Sequence, residues 1–236
     1  MSQISEFLYA SDVVTSSERA LILLPEIFGV KHFTRDLADK VASETNWSGY
    51  VLDHFYAVTG KIQVFDYDDA GSGSKIMDQM TGEMFLPLLE KAISLIRERQ
   101  PDVTRIAVWG FCFGGKLAYL SGVQPAVTDI VSCYGGASTR PGFYAGDSAV
   151  AALGRARQSD SELRVLGVFG ADDPMIPADD RTKIDEALSS AKIQHDIKAY
   201  DAGHAFFNED RTDRYDATAA QLAWVDIKQF LIKAND

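Results

Sequence analysis

Gly110-Phe111-Cys112-Phe113-Gly114-Gly115 follows directly after the apolar run Ile106-Ala107-Val108-Trp109. This is the Gly-x-nucleophile-x-Gly pattern of a nucleophile elbow, with cysteine at the position that serine usually occupies. In such a turn a strand passes sharply into a helix, and the flanking glycines let the chain fold closely around the nucleophile. The thiol then lies at a helix N-terminus, where the dipole and free N–H groups stabilise a thiolate and an oxyanion. The sequence therefore predicts a strand, an elbow and a helix, with Cys112 as the nucleophile.

The pattern by itself also fits an inert residue, because a lone cysteine in an apolar stretch is usually part of a core. Two further features favour the catalytic interpretation. A helix-forming run, Lys116-Leu117-Ala118-Tyr119-Leu120, follows the elbow and ends near Gly122. Residues that could complete a catalytic triad also occur downstream, each after a strand-like run.

The candidate partners are an acid and a histidine. Gly170-Ala171-Asp172-Asp173-Pro174 follows the apolar run 163–169, and Ala202-Gly203-His204-Ala205-Phe206 follows the run 193–200. The order Cys112, Asp173, His204 matches the nucleophile–acid–histidine order of α/β-hydrolases. The imidazole would take the thiol proton, and the carboxylate would fix its tautomer and stabilise its cation.

Competing residues exist for both partners. Asp172 is the alternative acid, and we prefer Asp173 from its position between Gly170 and Pro177. The remaining histidines are expected on the surface or as hydrogen-bonded core residues, since none combines a preceding strand with small neighbours; they are His32, His54 and His195.

Four segments together resemble the dienelactone hydrolase family. They are the first active-site loop Pro25-Glu26-Ile27-Phe28-Gly29-Val30, the cysteine elbow at 110–115, the acid loop at 170–177, and Ala202-Gly203-His204. The spacing fits along nearly the whole chain. The resemblance implies one α/β-hydrolase domain over residues 1–236, with a mostly parallel central sheet, helices on both faces and no lid domain.

The same resemblance gives Glu26 a role that the triad pattern does not. By sequence alone the favoured interpretation of Glu26, directly after the buried run 20–24, is a first-turn charge or a solvated loop carboxylate. The resemblance implies that it contacts the resting thiol, holds it neutral and becomes its base when substrate binds, for which a raised pKa is suited. It also implies an oxyanion hole formed by the N–H groups of Ile27 and Phe113, each worth roughly 3 kcal/mol.

The family pattern is broken where the substrate carboxylate would bind. The family arginine four residues after the catalytic histidine is Asn208 here, and the segment 54–77 contains no arginine, only Lys61 and Lys75. We therefore expect neutral aryl or short alkyl esters to be preferred, with the alternative that Lys61, Lys75 or Arg140 replaces the missing charge. Asn208 and five aromatic residues would form the pocket, although each ring fits a place in the core equally well: Phe65, Tyr67, Tyr134, Phe206 and Phe207.

Composition limits the classes of partner. The formal net charge of −11, without a Lys/Arg cluster, argues against nucleic acid or an anionic membrane surface. No apolar run reaches the ~18 residues of a membrane span, and the N-terminus does not resemble a signal peptide. The two cysteines, one of them required as a thiol, make a disulfide improbable and lack zinc spacing. We expect a cytoplasmic monomer without metal or cofactor, acting on a small-molecule ester or lactone.

Alternation of strands and helices predicts the sheet. Two loop-like segments, 57–78 and 135–162, are expected to frame the site at the carboxyl ends of the strands, and Gly71-Ser72-Gly73-Ser74-Lys75 is expected to be a flexible, solvated turn. The predicted strands are 20–24, 49–53, 105–109, 129–134, 164–169 and 194–200. The predicted helices are 34–44, 80–99, 114–121, 179–191 and 214–234.

These residues indicate a cysteine-dependent hydrolase of carboxylic esters or lactones that passes through an acyl-cysteine intermediate. The alternative from another class is a non-catalytic small-molecule binding protein with the same fold. An acyltransferase remains open within the enzyme class.

Overall fold

The computed structural model describes residues 1–13 and 18–233, and its centre is a sheet of eight strands in that part of the chain. The strand order is β1-β2-β4-β3-β5-β6-β7-β8. β1 and β2 pair antiparallel, β2 pairs antiparallel with β4, and all the other pairs are parallel. The strands are β1 (Ser2–Gln3), β2 (Leu8–Ala10), β3 (Arg19–Leu24), β4 (Ser48–Leu52), β5 (Arg105–Phe111), β6 (Val127–Cys133), β7 (Arg164–Gly170) and β8 (Gln194–Tyr200).

Helices cover both faces of this sheet. Trp109 of β5 stacks on Trp224 of α8 with ring centroids 6.1 Å apart. Val108 of β5 pairs with Ile130 of β6, and this pair lies on the face of the sheet opposite to Trp109. There Ile130 contacts Gly122 at the end of α5. The helices are α1 (His32–Glu44), α2 (Tyr56–Thr59), α3 (Ala70–Met77), α4 (Gly82–Arg99), α5 (Phe113–Ser121), α6 (Ala149–Ala156), α7 (Ala178–Ser190) and α8 (Ala217–Ile232).

Every strand and helix predicted from the sequence is present, with ends that differ by a few residues. The largest difference is at the start of α8, where the Asp216 side chain accepts a hydrogen bond from the Ala219 amide at 2.9 Å and so fixes the helix start three residues later than predicted. The predicted end of this helix, residue 234, lies outside the described residues.

The two segments predicted as loops each contain a helix. Residues Gly71 to Lys75 form part of α3 and are not a flexible turn, so this prediction was wrong. Asp69 caps α3 by accepting a hydrogen bond from the Ser72 amide at 3.1 Å, and Gly73 is buried against the Ile27 carbonyl. In α6 the Ser148 side chain caps the Ala151 amide at 3.1 Å. Caps and tertiary contacts stabilise both helices, and α6 also buries one apolar face formed by Ala149, Val150, Ala152 and Leu153.

The register of the sheet brings the candidate residues to one edge. Leu24 of β3 pairs with Gly110 of β5, Phe111 pairs with Cys133 of β6, and Gly170 of β7 pairs with Tyr200 of β8. The chain therefore leaves five parallel strands, β3, β5, β6, β7 and β8, at the same level, and the loops that follow them meet at the carboxyl edge, where sites of such sheets lie. In the described part of the chain, no helix has the length and apolar character needed to cross a membrane.

Candidate active site

Cys112 lies at the elbow that its flanking glycines predict. Its backbone has φ 53° and ψ −115°, a left-handed conformation that is strained for a residue with a side chain, and it caps the N-terminus of α5. A Cβ on Gly110 would lie 1.9 Å from the Gly114 carbonyl oxygen, so only glycine fits there. The Cys112 amide donates to the Cys133 carbonyl at 3.0 Å, which fastens the elbow to β6.

The structure pairs His204 with Asp173 and not with Asp172. His204 Nδ1 lies 2.7 Å from Asp173 Oδ2, and the other carboxylate oxygen of Asp173 accepts the Met175 amide at 2.8 Å. Both side chains are buried, whereas Asp172 is exposed. A Cβ on Gly170 would lie 2.3 Å from the Ala202 carbonyl oxygen, so this glycine lets the acid loop and the histidine loop pack together.

The surroundings of His204 favour its protonated form. Burial disfavours the charge, but the hydrogen bond to Asp173 and the adjacent Cys112 sulfur outweigh it and raise the pKa of the imidazole to about 10. Nε2 is buried and has no hydrogen-bond partner among the described residues. This nitrogen is therefore available to exchange a proton with the thiol or with a bound substrate.

Glu26 is almost completely buried, with 4% of its surface exposed. Its Oε2 accepts a hydrogen bond from Asn208 Nδ2 at 3.3 Å and lies 3.8 Å from Arg211 Nη1. Burial raises the pKa of the carboxyl, although the charges of Arg211 and His204 oppose this shift. No hydrogen bond joins Glu26 to Cys112 within the described structure, so the contact with the resting thiol implied by the family resemblance stays a prediction.

Arg211 is the functional residue that the sequence analysis missed. Its guanidinium approaches Glu26 while lying over the rings of Phe28 and Tyr67, at 5.2 and 5.8 Å from their centroids. Asn208 occupies the sequence position expected for a family arginine, and the loop then turns back through a hydrogen bond from the Arg211 amide to the Asn208 carbonyl. A cation is thus retained beside Glu26 from a position three residues further along the chain. The run Asn208-Glu209-Asp210-Arg211 contains the arginine that a search beyond one fixed offset would have found.

The Ile27 and Phe113 amides, which the family resemblance implies as oxyanion donors, lie in two segments that pack against each other. Phe113 is the first residue of α5, so its N–H has no partner within the helix. A Cβ on Gly114 would lie 2.3 Å from the Leu24 carbonyl oxygen, so the start of α5 packs directly on the loop after β3 that carries Ile27. Neither amide donates a hydrogen bond to another residue in the part of the chain that the structure describes. Both donors remain free for a ligand beside Cys112.

Cys112 and His204 line one cavity of about 880 Å³. Its walls come from residues 77–81, from residues 136–143 after β6, and from α5 and α7. Both segments that the sequence analysis expected to frame the site therefore contribute to it. The charged side chains in the wall are Asp78, Lys116, Arg140, Asp180 and Lys183.

The aromatic pocket predicted from the sequence lies outside this wall. Phe206 is fully buried against Tyr134, and Phe207 packs into the core against Trp109 and Phe111. Burial of these two apolar rings in the core stabilises the fold more than exposure to the cavity would. The remaining predicted pocket residues cluster on the Glu26 side of the site or against the core: Phe65 on Phe55, and Tyr67 on Phe28 and Asn208.

Tyr134 is the exception among these aromatics because it contacts the candidate triad. It follows β6 with φ 41°, and its ring lies edge-on to His204 with centroids 5.1 Å apart. Burial raises the pKa of its hydroxyl well above the ordinary value, and the nearby Glu26 carboxyl adds to this shift. Tyr134 thus forms the buried floor beneath the imidazole.

The other three histidines and the second cysteine are not part of the candidate triad and lie in exposed, half-buried or core positions. His32 is exposed, and His195 lies 3.2 Å from Asp185. His54 is fully buried and neither ring nitrogen has a hydrogen-bond partner among the described residues, so it is not the hydrogen-bonded core residue expected; burial lowers its pKa to about 3. Cys133 accepts a hydrogen bond from Trp109 Nε1 at 3.1 Å inside the core. The described residues contain no cluster of three or more His, Cys, Asp or Glu that could hold a metal ion.

Comparison with known proteins identifies the family. The model of the dienelactone hydrolase family matches residues 4–234. A Synechocystis sp. protein provisionally named carboxymethylenebutenolidase is 30% identical over 234 residues, covering 96% of this chain and 90% of the relative. An Escherichia coli (strain K12) protein of the same provisional name is 29% identical over 214 residues, covering 86% and 73%.

Among solved structures, a protein from Klebsiella pneumoniae subsp. pneumoniae, provisionally named dienelactone hydrolase, superposes with a TM-score of 0.75 at 24% identity, covering 91% of this chain and 86% of the other. That likeness supports the α/β-hydrolase fold class predicted from the sequence. With the family model matching nearly its whole length, the chain belongs to the dienelactone hydrolase family of hydrolases.

Proposed function

We propose that the protein hydrolyses carboxylic esters or lactones through an acyl-enzyme intermediate on Cys112. The observation that carries the proposal is that Cys112 and His204 line the same cavity. The Nδ1 atom of His204 lies 2.7 Å from Asp173 Oδ2, which orients the imidazole. A strained residue at a helix N-terminus, an oriented histidine and a buried acid are the parts that nucleophilic acyl transfer needs.

In the first half of the reaction the thiol passes its proton to His204, or to Glu26 beside an already protonated His204, and the thiolate sulfur attacks the carbonyl carbon. The Ile27 and Phe113 amides bind the oxyanion of the tetrahedral intermediate. When the intermediate collapses, the C–O bond to the leaving group breaks and the imidazolium gives its proton to the departing alkoxide. The products of this half are the alcohol and acyl-Cys112.

In the second half water attacks the acyl carbon while His204 takes one of its protons. The C–S bond then breaks, the carboxylic acid leaves, and the sulfur recovers a proton. For a lactone the alcohol and acid are parts of one molecule, so the new hydroxyl group stays on the acyl chain bound to Cys112 and leaves with the acid as a single hydroxy acid. Two relatives carry the provisional name carboxymethylenebutenolidase, and this supports lactones as substrates of the protein.

Glu26 is proposed as the group that controls the charge of the sulfur before substrate binds. Its buried position and raised pKa support proton uptake, and Arg211 and Asn208 hold its carboxylate in place. The raised pKa of His204 favours an imidazolium beside a thiolate, so the two groups act in opposite directions on the resting thiol. The rate at which iodoacetamide alkylates Cys112 at neutral pH shows which of the two effects dominates.

The test is rapid-mixing hydrolysis of an activated aryl ester by the wild-type protein and by protein treated with iodoacetamide. Cys133 is fully buried, so alkylation reports on Cys112. We expect turnover in the untreated protein, and loss of that turnover after alkylation and in Cys112→Ala. Saturable binding without any release of aryl alcohol would instead identify a non-catalytic binding protein.

A further inference from the structure

The cavity beside Cys112 contains two cationic side chains that no acid neutralises. Lys116 lies on α5, where its amide donates to the Cys112 carbonyl at 3.2 Å, so the two residues are one helical turn apart on the same side of the helix. Arg140 lies in the segment between β6 and α6. In the described structure, neither side chain has a carboxylate within 4 Å.

Lys116 is held in place by an aromatic ring. Its Nζ lies 3.5 Å from the centroid of the Phe143 ring, in a cation–π contact, and the side chain is half-buried. Burial, with a smaller contribution from the positive charge of Arg140, lowers the pKa of the ammonium to about 8. Two like charges in the wall of one cavity, one of them partly desolvated, repel each other, and an anion bound near them would relieve this repulsion.

The other charged residues in the wall of the cavity do not cancel the positive charge of Lys116 and Arg140. Lys183 is already paired with Asp180 at 3.2 Å, and Asp78 is exposed. The wall therefore contains three cations and two acids, in a protein whose formal net charge is −11. A local positive potential in an acidic protein is unusual and selects for negatively charged ligands.

We propose that Lys116 and Arg140 form an anion-binding subsite of the substrate pocket, which makes the enzyme prefer esters or lactones that carry a carboxylate or phosphate group. This inference rests on the hydrolase function proposed above. The subsite is separate from Arg211, which contacts Glu26 and is not part of the cavity wall. It replaces the expectation of a neutral substrate: of the cations that the sequence offered as replacements for the family arginines, Arg140 lines the cavity, and Lys116 joins it there.

The test uses three aryl esters that differ in one substituent of the acyl group: a neutral amide, a carboxylate and a phosphate. The value of kcat/KM is measured for the wild type and for Lys116→Gln, Arg140→Gln and Lys116→Arg. Lys183→Gln is the matched control, because it removes a cation of the same cavity that Asp180 already neutralises. The neutral ester reports whether each variant retains a folded, working site.

We expect the wild type to prefer at least one anionic ester over the neutral one. Lys116→Gln should lower kcat/KM for that ester roughly tenfold and leave the neutral ester within about twofold, since one charge-assisted contact is lost. The exposed Arg140 is more screened, so Arg140→Gln should cost roughly threefold. Lys116→Arg should restore the preference, and the carboxylate and phosphate arms show which anion the subsite takes.

Several outcomes would overturn the subsite. One is a wild type that hydrolyses the neutral ester at least as well as both anionic esters. Another is a Lys116→Gln variant that slows all three esters equally, because that pattern indicates a structural role. An equal effect of Lys183→Gln would show a diffuse field rather than a site. If no ester is hydrolysed at all, the proposed function fails, and this result is distinct from the others.

Discussion

Replacing Gly73 by alanine should slow ester hydrolysis roughly a hundredfold while the protein stays folded. Gly73 lies on α3 and packs against the peptide that begins the oxyanion loop. A Cβ at this position would lie 2.0 Å from the Ile27 carbonyl oxygen and 3.2 Å from the Ile27 Cβ. Since such contacts are essentially never below 3.0 Å, either α3 or the Ile27 peptide must move by about 1 Å.

The expected size follows from the role of the Ile27 amide. Loss of one oxyanion donor costs roughly 3 kcal/mol of transition-state stabilisation, and a misplacement of about 1 Å costs roughly a hundredfold in rate. Because the oxyanion forms only after attack, kcat should fall while KM changes little. The free energy of unfolding should drop by about 1–3 kcal/mol from overpacking, partly offset by the better helix propensity of alanine.

Gly71→Ala is the matched control, because it lies on the same helix and its Cβ would meet nothing closer than Asp69 Oδ1 at 4.0 Å. This variant should keep wild-type kcat and gain up to about 1 kcal/mol in stability. Steady-state kinetics and urea denaturation of both variants provide the comparison. Wild-type kcat in a folded Gly73→Ala protein would refute the prediction that this contact holds the Ile27 amide in its catalytic position.

Three further predictions concern the charges around Cys112. If Glu26 holds the thiol neutral, iodoacetamide should alkylate Cys112 slowly at neutral pH, and Glu26→Gln should speed alkylation and sharply lower turnover; rapid alkylation that Glu26→Gln leaves unchanged would indicate a resting thiolate–imidazolium pair. Arg211 lowers the pKa of Glu26 against the effect of burial, so Arg211→Gln should raise that pKa and shift the acidic limb of the kcat/KM profile to higher pH, whereas an unshifted limb would separate Arg211 from the base. Lys116 loses its charge as pH rises through about 8, so the ratio of kcat/KM for an anionic ester to that for its neutral analogue should fall above this pH in the wild type and stay level in Lys116→Arg; a ratio that falls equally in both proteins would exclude Lys116 as its cause.

The positions of the proposed catalytic residues in the fold could be predicted from the sequence because each depends on a short local pattern. Buried parallel strands appear as continuous apolar runs, and the elbow glycines are required by contacts within a few residues, as between Gly110 and Gly114. The order of Cys112, Asp173 and His204 then follows from the order of the strands. The choice of Asp173 over Asp172 also agrees with the hydrogen bond found in the structure.

The pocket was less predictable because its composition depends on tertiary structure. Ala205 adopts φ 66° directly after His204, and the loop that follows turns the next two aromatic residues into the core and brings Arg211 back to Glu26. No period or motif in the sequence encodes that path. The wall of the cavity instead comes from two segments without strong patterns, and Lys116 appears in the sequence only as a helix surface residue.

Cys112 as the acylated nucleophile is tested most directly by trapping the intermediate. The protein is mixed with an activated aryl ester, quenched in acid within the first turnover, and its mass and proteolytic fragments are measured. We predict a mass increase equal to one acyl group, located on the peptide that contains Cys112 and absent from Cys112→Ala. An acyl group on another residue, or full hydrolytic activity in Cys112→Ala, would contradict the mechanism.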